Sequence, residues 1–231
     1  MQITEIYTSI QGESSHAGLP CVFVRLTGCN LRCAWCDSEY TFRGGRRVSV
    51  EDVVAEVRAA PIAPAARPRL VEITGGEPML QEREVIPLME RLLGEGWTVL
   101  LETSGEQPLA GVPKAVIKIV DVKCPGSGEG GRFRMENLEA LTPLDELKFV
   151  LAGRGDYEFA RDFVHQHQLA SRVAPVIFSP AFAKEAAGAR DVSHCLLDPR
   201  DLAEWILADR LPVRLGLQIH KFIWDPGKKG V

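Results

Sequence analysis

Three cysteines lie within eight positions of one another, in the segment Cys29-Asn-Leu-Arg-Cys33-Ala-Trp-Cys36. Thiolates are the usual protein ligands of iron–sulfur clusters, and three of them leave one iron of a four-iron cubane open to a small molecule. A closed structural zinc site would need a fourth ligand. His16 or Cys124 could serve, but neither has a characteristic zinc-ligand spacing to the triplet. The spacing therefore predicts a [4Fe–4S] cluster on Cys29, Cys33 and Cys36.

The same cysteines could instead be small hydrophobic core residues. Gly28 before the loop and the charged Arg32 and Asp37 argue against a simple core strand. Cys21, Cys124 and Cys195 stand apart from the triplet, and a buried thiol is the default expectation for each of them.

A second motif, Thr74-Gly75-Gly76-Glu77-Pro78, follows an apolar run. Two consecutive glycines let the backbone approach a ligand with no Cβ in the way. A plain tight turn is the alternative, and the motif gains weight only together with the cysteine loop.

The elements that would position these motifs alternate between apolar, β-rich runs and helical patterns. Strands are predicted at 21–27, 69–74, 97–103, 116–123, 146–151, 173–178 and 213–219, and helices from Ser49 and at 84–93, 156–169 and 199–208. Such alternation predicts parallel strands with crossover helices. Six or seven strands are too few for an eight-stranded barrel. We therefore predict an α/β fold, an open, partial parallel β/α barrel of about six strands, forming one domain over residues 1–231.

Ligands of parallel barrels bind at the C-terminal ends of the strands. Most of the candidate residues fall there in the predicted layout: the cysteine loop, the Gly75-Gly76 pair, residues 102–105, Lys123 and residues 218–221. This common placement favours one site built from several strand ends.

The composition is that of an ordinary globular chain, with 231 residues, 45% hydrophobic, 25% charged and a net charge of −4. No long basic tract is present, so duplex nucleic acid is not expected as a partner. The N-terminus has neither a signal-peptide pattern nor a membrane-spanning apolar run, which predicts a cytoplasmic protein without disulfides.

The C-x3-C-x2-C loop, with Trp35 before the last cysteine, and the Gly-Gly-Glu-Pro motif resemble the radical S-adenosylmethionine superfamily. The resemblance implies that the open iron chelates the amino and carboxylate groups of S-adenosylmethionine. One electron then cleaves the S–C5′ bond and yields a 5′-deoxyadenosyl radical, so the cofactors supply the hard chemistry.

Further motifs narrow the resemblance over nearly the whole chain. They are Ile10-Gln11-Gly12-Glu13, Arg25, Asp37-Ser38, Glu102-Thr103-Ser104-Gly105, Asp121-Val-Lys123-Cys124-Pro125, Glu146-Leu-Lys148-Phe and Gln218-Ile-His220-Lys221. Together they resemble the 7-carboxy-7-deazaguanine synthase family of queuosine biosynthesis. The resemblance implies that 6-carboxy-5,6,7,8-tetrahydropterin loses its C6 hydrogen, contracts its ring and releases ammonia in a Mg2+-dependent reaction that regenerates S-adenosylmethionine.

The resemblance also implies roles for individual residues. The substrate contacts would be Ile10, Gln11, Gly12, Glu13, Arg25, Thr74, His220 and, through the terminal carboxylate, Val231. The S-adenosylmethionine contacts would be Trp35, Cys36, Asp37, Gly76, Glu77, Ser104, Lys123, Cys124, Pro125, Phe178, Ser179 and Pro180. Ser38 would ligate Mg2+ at a position where the family usually has Thr, so ligation is expected to persist with a looser fit.

The chemistry of these side chains is compatible with such roles. Gln11 and Glu13 can read the amide–guanidine edge of a pterin, and Arg25 can bind a carboxylate with two prongs. Each residue also has a structural alternative: Gln11 and Glu13 could cap a turn, Arg25 could pair with a surface carboxylate, Lys123 and Lys148 could snorkel, and His220 could be a core histidine. Their joint placement favours the site.

Two other functions share the cysteine loop. A glycyl-radical-enzyme activase would act on a polypeptide and would need an open barrel side. A non-catalytic zinc- or cluster-bearing binding protein would need no substrate site. For the enzyme, the resemblance implies flavodoxin or ferredoxin as the reductant and a homodimer as the assembly, since an open sheet leaves edges to cover.

Overall fold

The computed structural model describes residues 1–63, 68–173, 175–184, 191–225 and 228–230. Its strands are β1 (Gln2–Ile10), β2 (Pro20–Leu26), β3 (Arg46–Arg47), β4 (Leu70–Gly75), β5 (Thr98–Thr103), β6 (Ile117–Asp121), β7 (Glu146–Leu151), β8 (Val176–Pro180) and β9 (Arg214–Leu215). Its α-helices are α1 (Val50–Ala59), α2 (Glu82–Gly94), α3 (Arg154–Gln166), α4 (Pro199–Asp209) and α5 (His220–Ile223).

The described strands form one sheet in the order β3-β1-β2-β4-β5-β6-β7-β8-β9. From β2 through β4 to β9 every neighbouring pair is parallel, whereas β1 pairs antiparallel with both β2 and β3. The six long parallel strands and the crossover helices confirm the predicted α/β class and the open, mostly parallel sheet.

The helices α1 to α4 cover the sheet because each has one apolar face. Ser49 caps α1 by accepting a hydrogen bond from the backbone N–H of Asp52, and Val53, Val54 and Val57 of this helix are buried. A single large core runs through the described residues, with Leu88 and Leu101 among its fully buried members. No described helix has both the length and the apolar character needed to cross a membrane.

The structure differs from the predicted layout at β1 and at β9. The first strand, β1, was not predicted, because its alternating polar residues leave only Ile3 and Ser9 buried. The strand predicted at 213–219 is limited to Arg214–Leu215. At Gly216 a Cβ would lie 2.6 Å from Ile177 Cγ2, and the chain beyond it turns into the short helix α5.

Candidate active site

A cavity of about 470 Å³ opens at the C-terminal ends of the parallel strands. Its wall includes the cysteine loop after β2, the ends of β4, β5, β6 and β7, and the segment that leads into α5. This is the edge at which the sequence placed most of the candidate residues. The shared edge follows from the parallel topology, since the strand ends of a parallel sheet point the same way.

The cysteine loop is held by backbone hydrogen bonds and by a second loop behind it. The N–H of Cys36 donates to the carbonyl of Cys33 (3.2 Å), and the N–H of Ala34 donates to the carbonyl of Ser127 (2.9 Å). All three thiols are free and half-buried. Burial raises the pKa of the Cys29 and Cys33 thiols, so binding of a metal cluster would release protons.

The three sulfurs do not converge on one point. Among the described residues, no group of three or more His, Cys, Asp or Glu side chains is placed to hold a single metal ion. Thiolates on one zinc ion lie about 2.3 Å from it and hence within roughly 4 Å of one another. A cubane spreads its thiolates over separate corners and does not require them to converge on one ion.

The two glycines of the second motif let its turn pack directly against the cysteine loop. A Cβ on Gly76 would lie 2.2 Å from the Gly28 carbonyl oxygen and 2.8 Å from Cys29 Cβ. Gly75 has a φ of +144°, and a Cβ there would meet the Leu26 backbone at 2.3 Å. Both glycines line the cavity, so the motif joins the cluster loop to the cavity wall.

Glu77 lies just outside this wall and holds the turn in place. Its carboxylate accepts hydrogen bonds from the Thr103 hydroxyl (2.7 Å) and from the hydroxyl and N–H of Ser104 (2.6 and 2.9 Å). It also accepts one from the N–H of Met79 (3.0 Å). Glu77 therefore ties the turn after β4 to the end of β5.

Arg25 is fixed by β1. Its Nε donates to Glu5 Oε1 (2.9 Å) and its Nη2 donates to the Tyr7 hydroxyl (2.5 Å). Tyr40 donates to the same Glu5 oxygen (2.7 Å), and burial raises the pKa of Tyr7 to about 12, so this phenol stays neutral. Arg25 therefore pairs with a carboxylate, as the structural alternative for this residue predicted. Its side chain also lines the cavity, and its Nη1 makes no hydrogen bond to a described residue.

A buried ammonium organises the cavity floor. Lys148 Nζ lies 2.6 Å from Glu13 Oε2 and 2.5 Å from Glu102 Oε1. The side chain of Lys148 is 2% exposed, so the predicted alternative, a lysine that snorkels to solvent, is wrong. Although burial alone would raise it, attraction from Lys148 and His220 lowers the pKa of Glu13 to about 2.

Gln11 acts mainly within the protein. Its Oε1 accepts hydrogen bonds from the N–H groups of Glu13 (2.9 Å) and Ser14 (3.0 Å), and its Nε2 donates to Glu72 (3.1 Å). The predicted turn-capping alternative is therefore present in the structure. One N–H of the amide remains for a ligand, since Gln11 lines the cavity.

The segment leading into α5 closes one side of the cavity. Gln218 Nε2 donates to Glu13 Oε1 (3.0 Å), and a Cβ on Gly12 would lie 2.4 Å from His220 Nδ1. Lys221 Nζ lies 2.7 Å from Asp37 Oδ2. Burial lowers the pKa of His220 despite the neighbouring Glu13, so the imidazole is neutral near pH 7.

Most of the predicted site residues line the cavity: Ile10, Gln11, Gly12, Glu13, Arg25, Cys29, Cys33, Trp35, Cys36, Asp37, Ser38, Thr74, Gly76, Ser104, Lys123 and His220. Six of the predicted S-adenosylmethionine contacts do not: Glu77, Cys124, Pro125, Phe178, Ser179 and Pro180. Val231 lies outside the described residues. The roles of all these residues stay predictions.

Cys124 and Pro125 stand behind the cysteine loop. The carbonyl of Cys124 accepts hydrogen bonds from the N–H (3.0 Å) and hydroxyl (2.6 Å) of Ser127, the residue that anchors Ala34. Phe178 is fully buried in the core. Cys21 and Cys124 are buried as expected, whereas Cys195 is half-buried.

Sequence reasoning missed several residues of the floor and wall, notably Glu72, Tyr7 and Tyr40. Glu72 carried a usable signal, since it is an acid within the apolar strand Leu70–Gly75. A buried charge needs a partner, so an acid in this strand indicates either a paired or a functional group. Tyr7 and Tyr40 gave no comparable signal.

Comparisons with known proteins agree with this geometry. Residues 23–124 match the model of the radical SAM superfamily. The chain is 68% identical over 231 residues to a 7-carboxy-7-deazaguanine synthase of Koribacter versatilis, with 100% of both chains covered. It is 40% identical over 234 residues to that of Chlorobaculum tepidum, with 100% of this chain and 97% of the relative covered.

Solved structures show the same fold. QueE from Escherichia coli superposes with a TM-score of 0.66 at 23% identity, over 94% of this chain and 92% of that one. Streptococcus suis SuiB bound to S-adenosylmethionine gives a TM-score of 0.52 at 13% identity, over 82% and 48%. With its full-length relatives, its cysteine loop and its open parallel sheet, the chain belongs to the 7-carboxy-7-deazaguanine synthase family, radical S-adenosylmethionine lyases that carry a [4Fe–4S] cluster.

Proposed function

We propose that the chain converts 6-carboxy-5,6,7,8-tetrahydropterin into 7-carboxy-7-deazaguanine with loss of ammonia, in a Mg2+-dependent reaction. The observation that carries this proposal is that one cavity combines the three thiols with a fixed guanidinium and an acidic floor. A cyclic substrate with a carboxylate at one end and N–H donors at the other matches both features. The family membership sets aside the glycyl-radical activase and the non-catalytic binding protein.

Arg25 is suited to the substrate carboxylate. Glu5 and Tyr7 occupy its Nε and one N–H of Nη2, so the remaining donors lie at the Nη1 end of the guanidinium. A carboxylate would therefore be met end-on, through Nη1 and the second N–H of Nη2. Because Arg25 is held before substrate arrives, little side-chain entropy is lost on binding.

Glu13 and Glu102 are suited to the opposite edge of the substrate. A pterin presents N–H groups there, and carboxylates accept hydrogen bonds only. Lys148 fixes both carboxylates in place, so their remaining lone pairs are directed before binding. The neutral His220 adds a group that can donate or accept.

When bound, the cluster and S-adenosylmethionine supply the 5′-deoxyadenosyl radical that removes the C6 hydrogen. The protein contributes a walled cavity, in which the segment leading into α5 shields one side from water through Gln218 and Lys221. Ser38 lines the cavity with its Oγ 3.8 Å from Cys36 Sγ. Its hydroxyl is a suitable oxygen ligand for Mg2+, which keeps several of its waters.

The deciding experiment uses reconstituted, reduced protein with S-adenosylmethionine, Mg2+ and carboxytetrahydropterin. The deazaguanine product and ammonia are expected in equal amounts, without net consumption of S-adenosylmethionine. If a protein with a verified cluster forms no deazaguanine, the proposed function is wrong.

The Mg2+ ligand can be tested separately. Ser38→Ala removes the hydroxyl, so we expect lower turnover and a changed dependence on Mg2+ concentration, whereas Ser38→Thr keeps the hydroxyl and should retain the response. Titration of activity with Mg2+ makes the comparison. An identical Mg2+ response in the alanine variant would remove Ser38 from the site.

The reductant and the assembly belong to the same proposal. A flavodoxin or a ferredoxin would deliver the electron to the cluster, and each can be tested as the sole electron source in the turnover assay. A homodimer is expected, and sedimentation equilibrium of the reconstituted protein measures it directly.

A further inference from the structure

Glu72 is a buried acid with no cation beside it among the residues that the structure describes. It lies in the middle of β4, its side chain lines the cavity, and it is 1% exposed. In register it neighbours Phe23 on β2 and Leu100 on β5, both apolar. Among the described residues Glu72 forms no ion pair, and its hydrogen-bond donor is the Gln11 amide at 3.1 Å.

The other polar groups around Glu72 do not favour its ionised form. Glu102 on β5 lies two residues beyond Leu100, the register partner of Glu72, and lines the same cavity. Its carboxyl group is close enough to hydrogen-bond that of Glu72, and Glu13 adds a second negative charge nearby. Cys21 on β2 and Tyr7 on β1 face it as neutral groups, because burial raises the pKa of both. Lys148 contacts Glu102 and Glu13, and within the described part of the chain it forms no ion pair with Glu72.

Two carboxyl groups in hydrogen-bond contact need a proton between them, because an ionised carboxylate can only accept. Lys148 lies 2.5 Å from Glu102, so the negative charge is better placed on Glu102 than on Glu72. With Glu72 neutral, the three groups Glu13, Glu102 and Lys148 carry a net charge of −1. An ionised Glu72 would add a second uncompensated charge to a buried site, which is costly.

We propose that Glu72 is a protonated carboxylic acid that donates a hydrogen bond to Glu102 and thereby positions this carboxylate for the donor edge of the heterocyclic substrate. Its role as a positioning residue rests on the proposed function, whereas its protonation does not. Gln11 completes the arrangement by holding the other face of the Glu72 carboxyl group. Burial, together with Glu102, raises the pKa of Glu72 well above its usual range, in agreement with this geometry.

Infrared difference spectra of the reconstituted, substrate-free protein test directly whether Glu72 is protonated. The wild type should show the C=O stretch of a protonated carboxyl group at pH 7 that is missing in Glu72→Gln and fades as the pH rises. If Glu72→Gln loses no such band at pH 7, Glu72 is ionised and the proposal is overturned.

The pH dependence of stability gives a second test. A carboxyl group whose pKa is raised on folding costs the native state stability as the pH rises above its unfolded pKa. Glu72→Gln should therefore gain stability relative to the wild type between pH 5 and pH 8, with the difference in melting temperature growing by at least about 2 °C. A difference that does not change with pH would contradict the proposal.

Glu146→Gln is the matched control for this measurement. Glu146 is an equally buried strand carboxylate, but it accepts hydrogen bonds from the N–H (3.0 Å) and the hydroxyl of Ser15. Glu146→Gln should lower the melting temperature at both pH 5 and pH 8, because one of the two oxygens that accept from Ser15 is replaced by an NH2 donor.

Turnover then tests the positioning role. Glu72→Ala removes the donor to Glu102 and should raise KM by about tenfold or more, and Glu72→Gln, which keeps a donor, should restore much of that loss. In the wild type, kcat/KM should fall at alkaline pH as Glu72 loses its proton. This fall should be missing in Glu72→Gln. Equal losses of kcat with unchanged KM in both variants would overturn the role. If the wild type itself makes no product, the proposed function is wrong. The infrared and stability measurements still decide whether Glu72 is protonated.

Discussion

Glu13 and Glu72 are both acids of the cavity floor, and their surroundings push them in opposite directions. Glu13 contacts Lys148 and Gln218, so its ionised form is stabilised. Glu72 has apolar neighbours in register and a second carboxyl group as its partner. The same residue type thus supplies a permanent negative charge at one point and a proton at another, as expected when burial and local partners decide pKa values.

Glu13→Gln should make the protein less stable at neutral pH and less sensitive to acid. The pKa of Glu13 is lowered to about 2, so its stabilisation is fully present above the unfolded pKa of about 4.5 and is lost as the pH falls towards 2. We expect a difference of about 2–3 kcal/mol between wild type and variant at pH 7. Denaturant unfolding at pH 7, 5 and 3 measures it, and a gap that widens on acidification would refute the assigned pairing.

At the scale of elements, the turns after β2 and β4 are built as one unit. The N–H of Glu77 donates to the Gly28 carbonyl (2.8 Å) and the N–H of Gly76 donates to the Leu26 carbonyl (3.3 Å). Gly76 is in contact with the cysteine loop, where no Cβ fits. The position of the cluster is therefore coupled to the position of the cavity wall.

Gly76→Ala should disturb the cysteine loop. Its Cβ would lie 2.2 Å from the backbone oxygen of Gly28, a clash that the backbone must relieve at a cost of about 1–3 kcal/mol. We expect a lower iron content and a weaker cluster absorbance after reconstitution.

Gly94→Ala is the control for this variant, because no atom lies within 4 Å of its added Cβ. It should bind iron like the wild type. Full iron loading and unchanged stability of Gly76→Ala would show that the two turns are not coupled as described.

In the whole molecule, the candidate active site and a stabilising ion pair lie at opposite ends of the strands. The cavity lies at the C-terminal ends of the strands, and a buried ion pair lies at the N-terminal ends of β6 and β7. There Lys118 Nζ is 2.9 Å from Asp145 Oδ2, with side-chain exposures of 1% and 0%. Asp145 also accepts hydrogen bonds from the N–H groups of Lys118 and Thr142. Groups at this edge act on the fold and not on the chemistry.

Lys118→Met should therefore destabilise the protein without changing turnover per folded molecule. Removal of one partner leaves the buried Asp145 charge uncompensated, which costs about 3–5 kcal/mol. Lys114→Met, at an exposed position nearby, should change stability by less than about 0.5 kcal/mol. Denaturant unfolding and active-site-normalised turnover make the comparison, and a stability of Lys118→Met equal to that of the control would contradict the account.

Local sequence patterns were enough to predict the helices and strands whose buried residues follow a regular pattern. The predicted strand at 146–151 coincides with β7, because it is a continuous buried run, and the helix from Ser49 begins at its cap. The sequence pattern did not reveal β1, whose place in the sheet depends on pairing with β2. It also overestimated the strand at 213–219, where the chain leaves β8 after Gly216 and turns into α5. Long-range packing, which no local pattern encodes, decided both.

The residue types and their spacing alone determined the chemistry: three thiols in one short loop, a double-glycine turn, and charged residues at strand ends. These features predict which classes of ligand the chain could bind, since they depend on composition and local order. Only the tertiary structure decided which charged side chains contact one another. It paired Lys148 with Glu13 and Glu102 across three separate parts of the chain. It gave Glu72 apolar neighbours in register and no ion pair with any described residue. Protonation depends on distances between residues far apart in sequence, and those distances exist only once the sheet has formed.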